Sequence, residues 1–320
     1  MSINHVVLGT GAIGRAIMEE LVRRGESVCM VNRSGKMDEV PTGVEVVASD
    51  LYDQARVKEV TRGAKVVYQC SQPNYFEWTE KFPPLQKSII DGLTGSDAKL
   101  VLVENLYMYG TTNGTPMTED MPHNAHTRKG RTRSEMSKAA IAAHQDGKLK
   151  VTIGRGSDFF GAWGLPTAVM GERTFYPLLH GKPAQLIGNI DLPHTHTYIT
   201  DFGKALVILG ERSEADGQVW HIPNDLPRIS QREMVMMIAE VAGIEPKMSA
   251  MGKLMMWVGG FFVPEAKETL EMMYEFEKPF VVDHSKFARA FGDTATPIRQ
   301  AIRATLDWYR THPQKHSQAA

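Results

Sequence analysis

The run His5-Val6-Val7-Leu8-Gly9-Thr10-Gly11-Ala12-Ile13-Gly14-Arg15-Ala16-Ile17 decides how the rest of the chain is read. A short apolar strand leads straight into G-x-G-x-x-G, and the pattern from Ile13 to Arg24 is helical. In that setting each glycine has a task. Gly9 permits the tight turn, Gly11 lets a pyrophosphate approach the backbone, and Gly14 lets helix and strand pack closely. The helix N-terminus then faces the phosphates, so Gly9, Thr10, Gly11, Ala12, Ile13 and Gly14 form a candidate dinucleotide cradle.

Outward from this loop, β-branched runs alternate with helical patterns. Ser27 to Val31, Val44 to Ala48, Lys65 to Gln69, Leu100 to Glu104 and Lys150 to Arg155 read as strands. Asp53 to Thr61, Leu85 to Leu93 and Thr132 to Gln145 read as helices. Strands separated by helices predict an α/β fold, a doubly wound parallel sheet of the Rossmann type. Residues 1–155 are expected to form this domain. Past Arg155 the texture turns to Gly and Pro punctuation, aromatic residues and many Met, which predicts a smaller, mostly helical substrate lobe from 156–190 and 223–312. Residues 191–222 read as sheet and helix again, with His196 to Ile199, Asp201 to Leu209 and Gln218 to Ile222, so they are expected to return to the first domain. Pro297 to Arg310 predicts an amphipathic closing helix with Pro at its start. Residues 313–320 read as a frayed tail.

Composition narrows the partners. The 320 residues carry 36 Lys and Arg against 37 Asp and Glu, a formal charge of −1, so no bulk field draws nucleic acid or an anionic membrane. No apolar run approaches the ~20 residues of a membrane span. The N-terminus lacks the pattern of a signal peptide. The two cysteines, Cys29 and Cys70, sit among strand residues and read as small buried side chains, which points to a reducing, cytoplasmic setting.

The second strand ends at Asn32-Arg33-Ser34, where an NAD site usually places an acidic residue against the ribose hydroxyls. Here Arg33 would answer a 2′-phosphate with a forked contact and Ser34 could add a hydroxyl, so NADP is the expected cofactor. Asp50 and Leu51, after the third strand, are placed to meet the adenine. Asp50 could equally cap the helix that follows.

These residues together resemble the extended short-chain dehydrogenase/reductases, the NAD-dependent epimerase/dehydratase-like group. The resemblance rests on Gly9 to Gly14, Ser49-Asp50-Leu51, Glu104 to Gly110, Thr152 to Gly161 and the closing helix. It implies a Ser or Thr that holds the substrate oxygen and a Tyr-x-x-x-Lys pair that handles the proton. Counted from Gly110, the Ser position falls on Asn105. Counted from Arg155, the pair falls on Lys129 and Arg133, and no Tyr-x-x-x-Lys occurs between Tyr107 and Thr152.

Three readings fill that gap. Lys129 replaces Tyr as the acid, its charge destabilised by burial and by Arg133, with Asn105 donating to the substrate. Alternatively Tyr107 or Tyr109 supplies the hydroxyl from the loop after the fifth strand. In the third reading the site binds NADP without turnover, as a redox-sensing regulator. The basic cluster around Lys129 could also be a solvated helix start, and Tyr109-Gly110 a packing turn.

Gln72 and Asp158 follow the fourth and sixth strands, where the resemblance implies a lining for nicotinamide and substrate. His123 and His126 share a loop that could touch substrate. His194 and His196 lack the acidic or Cys partners of a ligand set, so no metal is expected. The Met and aromatic residues of the small lobe, including Met255, Met256, Trp257, Phe261 and Phe262, suit a pocket for an apolar molecule. The sequence therefore predicts an NADP(H)-dependent oxidoreductase acting on a carbonyl or activated alkene of an apolar small molecule. A regulator is the alternative, and a sugar-nucleotide epimerase or dehydratase stands behind both because the Tyr-x-x-x-Lys pair is lost. The resemblance also implies a homodimer, paired through Leu85 to Leu93 and Thr132 to Gln145.

Overall fold

The computed structural model describes residues 3–252 and 270–314. Its centre is a parallel sheet built from β1 (His5–Leu8), β2 (Val28–Asn32), β3 (Val44–Ala48), β4 (Val66–Gln69), β5 (Lys99–Glu104), β6 (Lys150–Arg155) and β10 (Val219–His221). These seven strands lie in the order β10-β6-β5-β4-β1-β2-β3, all neighbours parallel. The order reverses beside β1, which is the switch point where such sheets open a crevice beyond their carboxyl ends.

Burial on both faces explains why the central strands are apolar throughout. Val6 and Leu8 of β1 join the cluster under α2 (Gln54–Val60), α3 (Trp78–Leu93) and α4 (Arg128–Gln145), with Phe82, Ile89, Met136 and Ala140. Val7 turns to the other face, against α1 (Ala12–Arg23) and α6 (Ile199–Glu211), where Ile17, Leu21, Phe202 and Leu206 are fully buried. β3 is one of the two edge strands, and only half-buried.

Two helices start earlier than the sequence periodicity suggests. α3 begins at Trp78 and runs through Pro83 and Pro84, because Trp78 and Phe82 already bury an apolar stripe. α4 begins at Arg128, capped by the Thr127 hydroxyl accepting from the Gly130 N–H at 3.1 Å. Asp53 caps α2 by accepting from the N–H groups of Ala55 and Arg56. Asp50 instead accepts from Tyr52 N–H within its own turn.

Beyond β6 the chain forms β7 (Phe159–Phe160), α5 (Glu172–Leu179), β8 (Ala184–Ile187) and β9 (Thr197–Tyr198), then α6 and β10. It continues with α7 (Gln231–Ala242) and β11 (Met248–Met251), and ends in the helix Ile298–Thr311. β7 pairs with β9, and β8 with β11, as two small parallel ladders; the strand expected at His196 to Ile199 is β9, but it joins β7 rather than the central sheet. Phe175, Leu178, Met234, Ile238, Ile302, Leu306 and Tyr309 make the core of this lobe. α7 carries a full capping box, Ser230 with Glu233, and stops at Gly243 in the left-handed conformation. Met255, Met256, Trp257, Phe261 and Phe262 lie outside the described residues. Among the described residues no helix is long and apolar enough to cross a membrane.

Candidate functional site

The glycine loop is built as the sequence requires. Gly9 has φ +120°, and a Cβ there would lie 2.7 Å from the Ser71 nitrogen. A Cβ on Gly14 would lie 2.1 Å from the Gly9 carbonyl oxygen, so strand end and helix start touch through bare backbone. Gly11 differs, because nothing lies within 4 Å of its Cβ position. It is the N-cap of α1, makes no side-chain cap, and the first turn of α1 has no acidic residue. The open Gly11 and the uncapped N–H groups behind it are a good fit to a dinucleotide pyrophosphate.

The neighbouring turn is organised by Asn32. Its Nδ2 donates to Thr10 Oγ1 at 3.0 Å and to the Lys36 carbonyl at 2.8 Å, while its Oδ1 accepts from the N–H groups of Ser34 and Gly35. Asn32 and Ser34 therefore shape the loop. Arg33 stands exposed on it, and no acidic residue ends β2. Leu51 is buried and Asp50 exposed beside the same edge. These side chains can take the adenosine half of a dinucleotide, with Arg33 free to meet an additional phosphate.

The loops after β4, β5 and β6 flank the other half. Gln72 is exposed on the first. Farther along, the Tyr75 hydroxyl lies 3.3 Å from the Tyr107 hydroxyl. Burial pushes both phenols well above their ordinary range, and the pairing of the two reinforces it for Tyr107. Lys129, 1% exposed, does not point to solvent: its Nζ sits 4.5 Å from the centre of the Tyr75 ring and 3.4 Å from Glu271 Oε1. Asn105 lies on the same loop as Tyr107 and accepts its N–H.

The expected pairing of Lys129 with Arg133 takes a different form. Arg133 Nη2 donates to the Val103 carbonyl at 3.2 Å and lies 3.8 Å from Glu104 Oε1, with its guanidinium over Phe82. Its charge is answered in the core. Tyr109 is likewise committed: Arg155 Nη1 donates to its hydroxyl at 2.6 Å, and the hydroxyl lies 2.8 Å from His221 Nε2. That removes Tyr109 from the candidates for a proton donor. Arg155 also donates through Nε to Glu104 at 2.9 Å and through Nη2 to Ser137 at 2.7 Å. His123 belongs to this network too, 2.9 Å from Ser134 Oγ and 3.3 Å from Arg155, whereas exposed His126 meets the edge of the Tyr274 ring. Burial, followed by the charge of Arg155, drives His123 down to about 4, and burial above all drives His221 to about 3.

Asp158, beyond β6, accepts from His194 Nε2 at 2.7 Å. Glu275 lies in the same electrostatic neighbourhood, 2% exposed, with the Tyr274 hydroxyl 3.4 Å from its Oε1. Burial and then the charge of Asp158 hold its carboxyl well above the ordinary range. Tyr75, His194, Glu271 and Glu275 complete the site although sequence reasoning did not select them for it. The spacing of His194 and His196 is visible in the sequence. The partner of His194 is not, because Asp158 comes from a distant segment.

The sequence model of the NAD dependent epimerase/dehydratase family matches residues 6–222. Among solved structures the chain resembles a UDP-N-acetylglucosamine 4-epimerase from Methanobrevibacter ruminantium M1, at 16% identity and a TM-score of 0.79, covering 98% of this chain and 99% of that one. It also resembles a dTDP-glucose 4,6-dehydratase from Bacillus anthracis in complex with NAD, at 16% identity, TM-score 0.78 and 97% coverage of both chains. A UDP-glucuronic acid 4-epimerase from Bacillus cereus in complex with NAD matches at 15% identity and TM-score 0.77, covering 97% and 99%. No curated protein matches significantly in sequence. With a glycine cradle at the switch point of a parallel sheet, and the family's pattern spanning more than half its length, the chain belongs to the NAD dependent epimerase/dehydratase family.

Proposed function

We propose that this chain is an NADP(H)-dependent enzyme that moves hydride to or from an oxygen-bearing carbon of a polar, sugar-type small molecule. The observation that carries the reading is the hydroxyl pair of Tyr75 and Tyr107, beside Lys129 and on the loops that flank the nicotinamide half of the crevice. A bound nicotinamide would supply or accept the hydride. The chain's own residues handle the oxygen. Because burial keeps both phenols protonated, the pair donates to a substrate oxygen and can deliver a proton as negative charge develops there. Glu271 holds Lys129 against the Tyr75 ring, so Lys129 positions the pair.

Trp78 supplies an apolar wall to the pair, its ring 5.0 Å from that of Tyr75 and 6.0 Å from that of Tyr107, while Asn105, Asp158, Glu271, Tyr274 and Glu275 bring polar groups to the same neighbourhood. A hydroxyl-rich substrate suits them better than the apolar one expected from the Met-rich lobe, where Met234, Met272 and Met273 serve as buried core. The sugar nucleotides in the names of the structural relatives support the same choice. Arg33 supports NADP over NAD. The free state of Cys29 and Cys70 supports a reducing compartment. For assembly we favour a homodimer through α3 and α4, whose outer faces border a groove of about 730 Å³ lined by Ile90, Met136 and Ala139.

The test is to incubate the purified chain with NADPH or NADP⁺ and a panel of sugars, keto-sugars and nucleotide sugars, following the absorbance of reduced nicotinamide and product isomers. Turnover that falls in Tyr107→Phe supports the reading. Cofactor binding without turnover of any substrate would favour the regulator instead.

A further inference from the structure

Asp158 is a partly open carboxylate beside the crevice. It follows β6, on the side of the switch point where the nicotinamide half of a dinucleotide runs, and its side chain is 17% exposed. His194 holds it at 2.7 Å and is itself walled in by rings, with Phe276 and Phe280 both at 5.1 Å and His196 at 4.9 Å. This packing leaves the imidazole little freedom to turn away, so the carboxylate keeps a fixed direction.

The other charged groups nearby do not cancel it. Lys129 is paired with Glu271 rather than with Asp158. Arg133 and Arg155 answer Glu104 in the core. Burial, and then the charge of Asp158, holds the Glu275 carboxyl well above its ordinary range, and it brings no positive charge. His196 is buried, and burial holds its ring in the uncharged form.

The oxidised nicotinamide ring carries a positive charge that the reduced ring lacks. A fixed carboxylate in a partly desolvated crevice therefore acts on one redox form only. Building on the cofactor reading above, we infer that Asp158, fixed by His194, makes this crevice prefer the oxidised dinucleotide and lowers the potential of the bound couple.

The full-length chain would be titrated with NADP⁺ and with NADPH by calorimetry. The oxidised form is expected to bind at least tenfold more tightly. Asp158→Asn should shrink the ratio of the two affinities about tenfold, equivalent to about 30 mV for a two-electron couple. Asp158→Glu should restore most of the ratio. Equal affinities in the unaltered chain would overturn the inference while leaving the cofactor reading intact, and this measurement needs no variant to fold. An unchanged ratio in Asp158→Asn would overturn it as well. Failure of both forms to bind would remove the cofactor reading and this inference with it.

Discussion

Replacing Glu104 by Gln should be among the costliest single changes in the first domain. The Glu104 side chain is 0% exposed and stands between two guanidinium groups, Arg155 at 2.9 Å and Arg133 at 3.8 Å, themselves 1% and 3% exposed. Gln keeps the shape but removes the one carboxylate that, among the described residues, balances these two buried cations. Breaking a buried pair in this way costs about 3–5 kcal/mol, because the partner's desolvation remains uncompensated. Against a total stability of about 5–15 kcal/mol this is a large share. At roughly 2 °C per kcal/mol for a chain of this size, the unfolding midpoint should drop by about 6–10 °C. Urea denaturation followed by circular dichroism would measure the free energy directly. Adding Arg155→Met to Glu104→Gln should recover part of the loss, since one of the unbalanced cations is then gone. A loss below about 1 kcal/mol, or a double variant no better than the single, would refute the charge-balance reasoning.

Arg33→Ala should erase a preference for NADPH over NADH of about tenfold, the scale of one charged contact, and titration with both cofactors will show it. Tyr107→Phe should lower turnover about 100-fold with little change in NADPH affinity, whereas Lys129→Met should lower it less and leave a protein that still binds. If Lys129→Met proves the more damaging, the roles assigned to the two residues are reversed. Burial holds His221 near 3, below the ~6.5 of an unfolded histidine, so the unfolded chain takes up the proton first. Its contribution is complete above about pH 6.5 and shrinks as pH falls toward 3, by on the order of 2 kcal/mol at pH 5. His221→Gln should flatten that acid slope, and an unaltered slope would count against it. Ala139→Glu, on the exposed flank of α4, should convert the proposed dimer to monomer in light scattering, and a chain already monomeric would reject the dimer.

The sheet was legible because its strands are buried on both faces. Val28 to Val31 and Leu100 to Leu102 read as continuous apolar runs with one possible role. Helix starts were harder. Lys129 and Arg133 look like a solvated N-terminus in a linear sequence, yet both are buried, because Glu271 and Glu104 reach them from elsewhere. Pro83 and Pro84 concealed the first turn of α3 for a local reason: proline removes two ladder donors, but Trp78 and Phe82 pack well enough to hold the turn. The cradle for the dinucleotide was readable since it is one contiguous motif. The rest of the site was not, as Tyr75, Asp158, His194 and Glu275 belong to separate segments, and their relation exists only after folding.

The three glycines of the first loop do not bear the same kind of constraint. A methyl group at Gly14 would collide with the carbonyl of Gly9, whereas one at Gly11 would enter open space. The first position answers to the protein's own backbone, the second only to a visitor. A replacement at Gly11 could therefore close the proposed dinucleotide site and keep the architecture whole. Folding and the proposed binding are thus separable at a single residue.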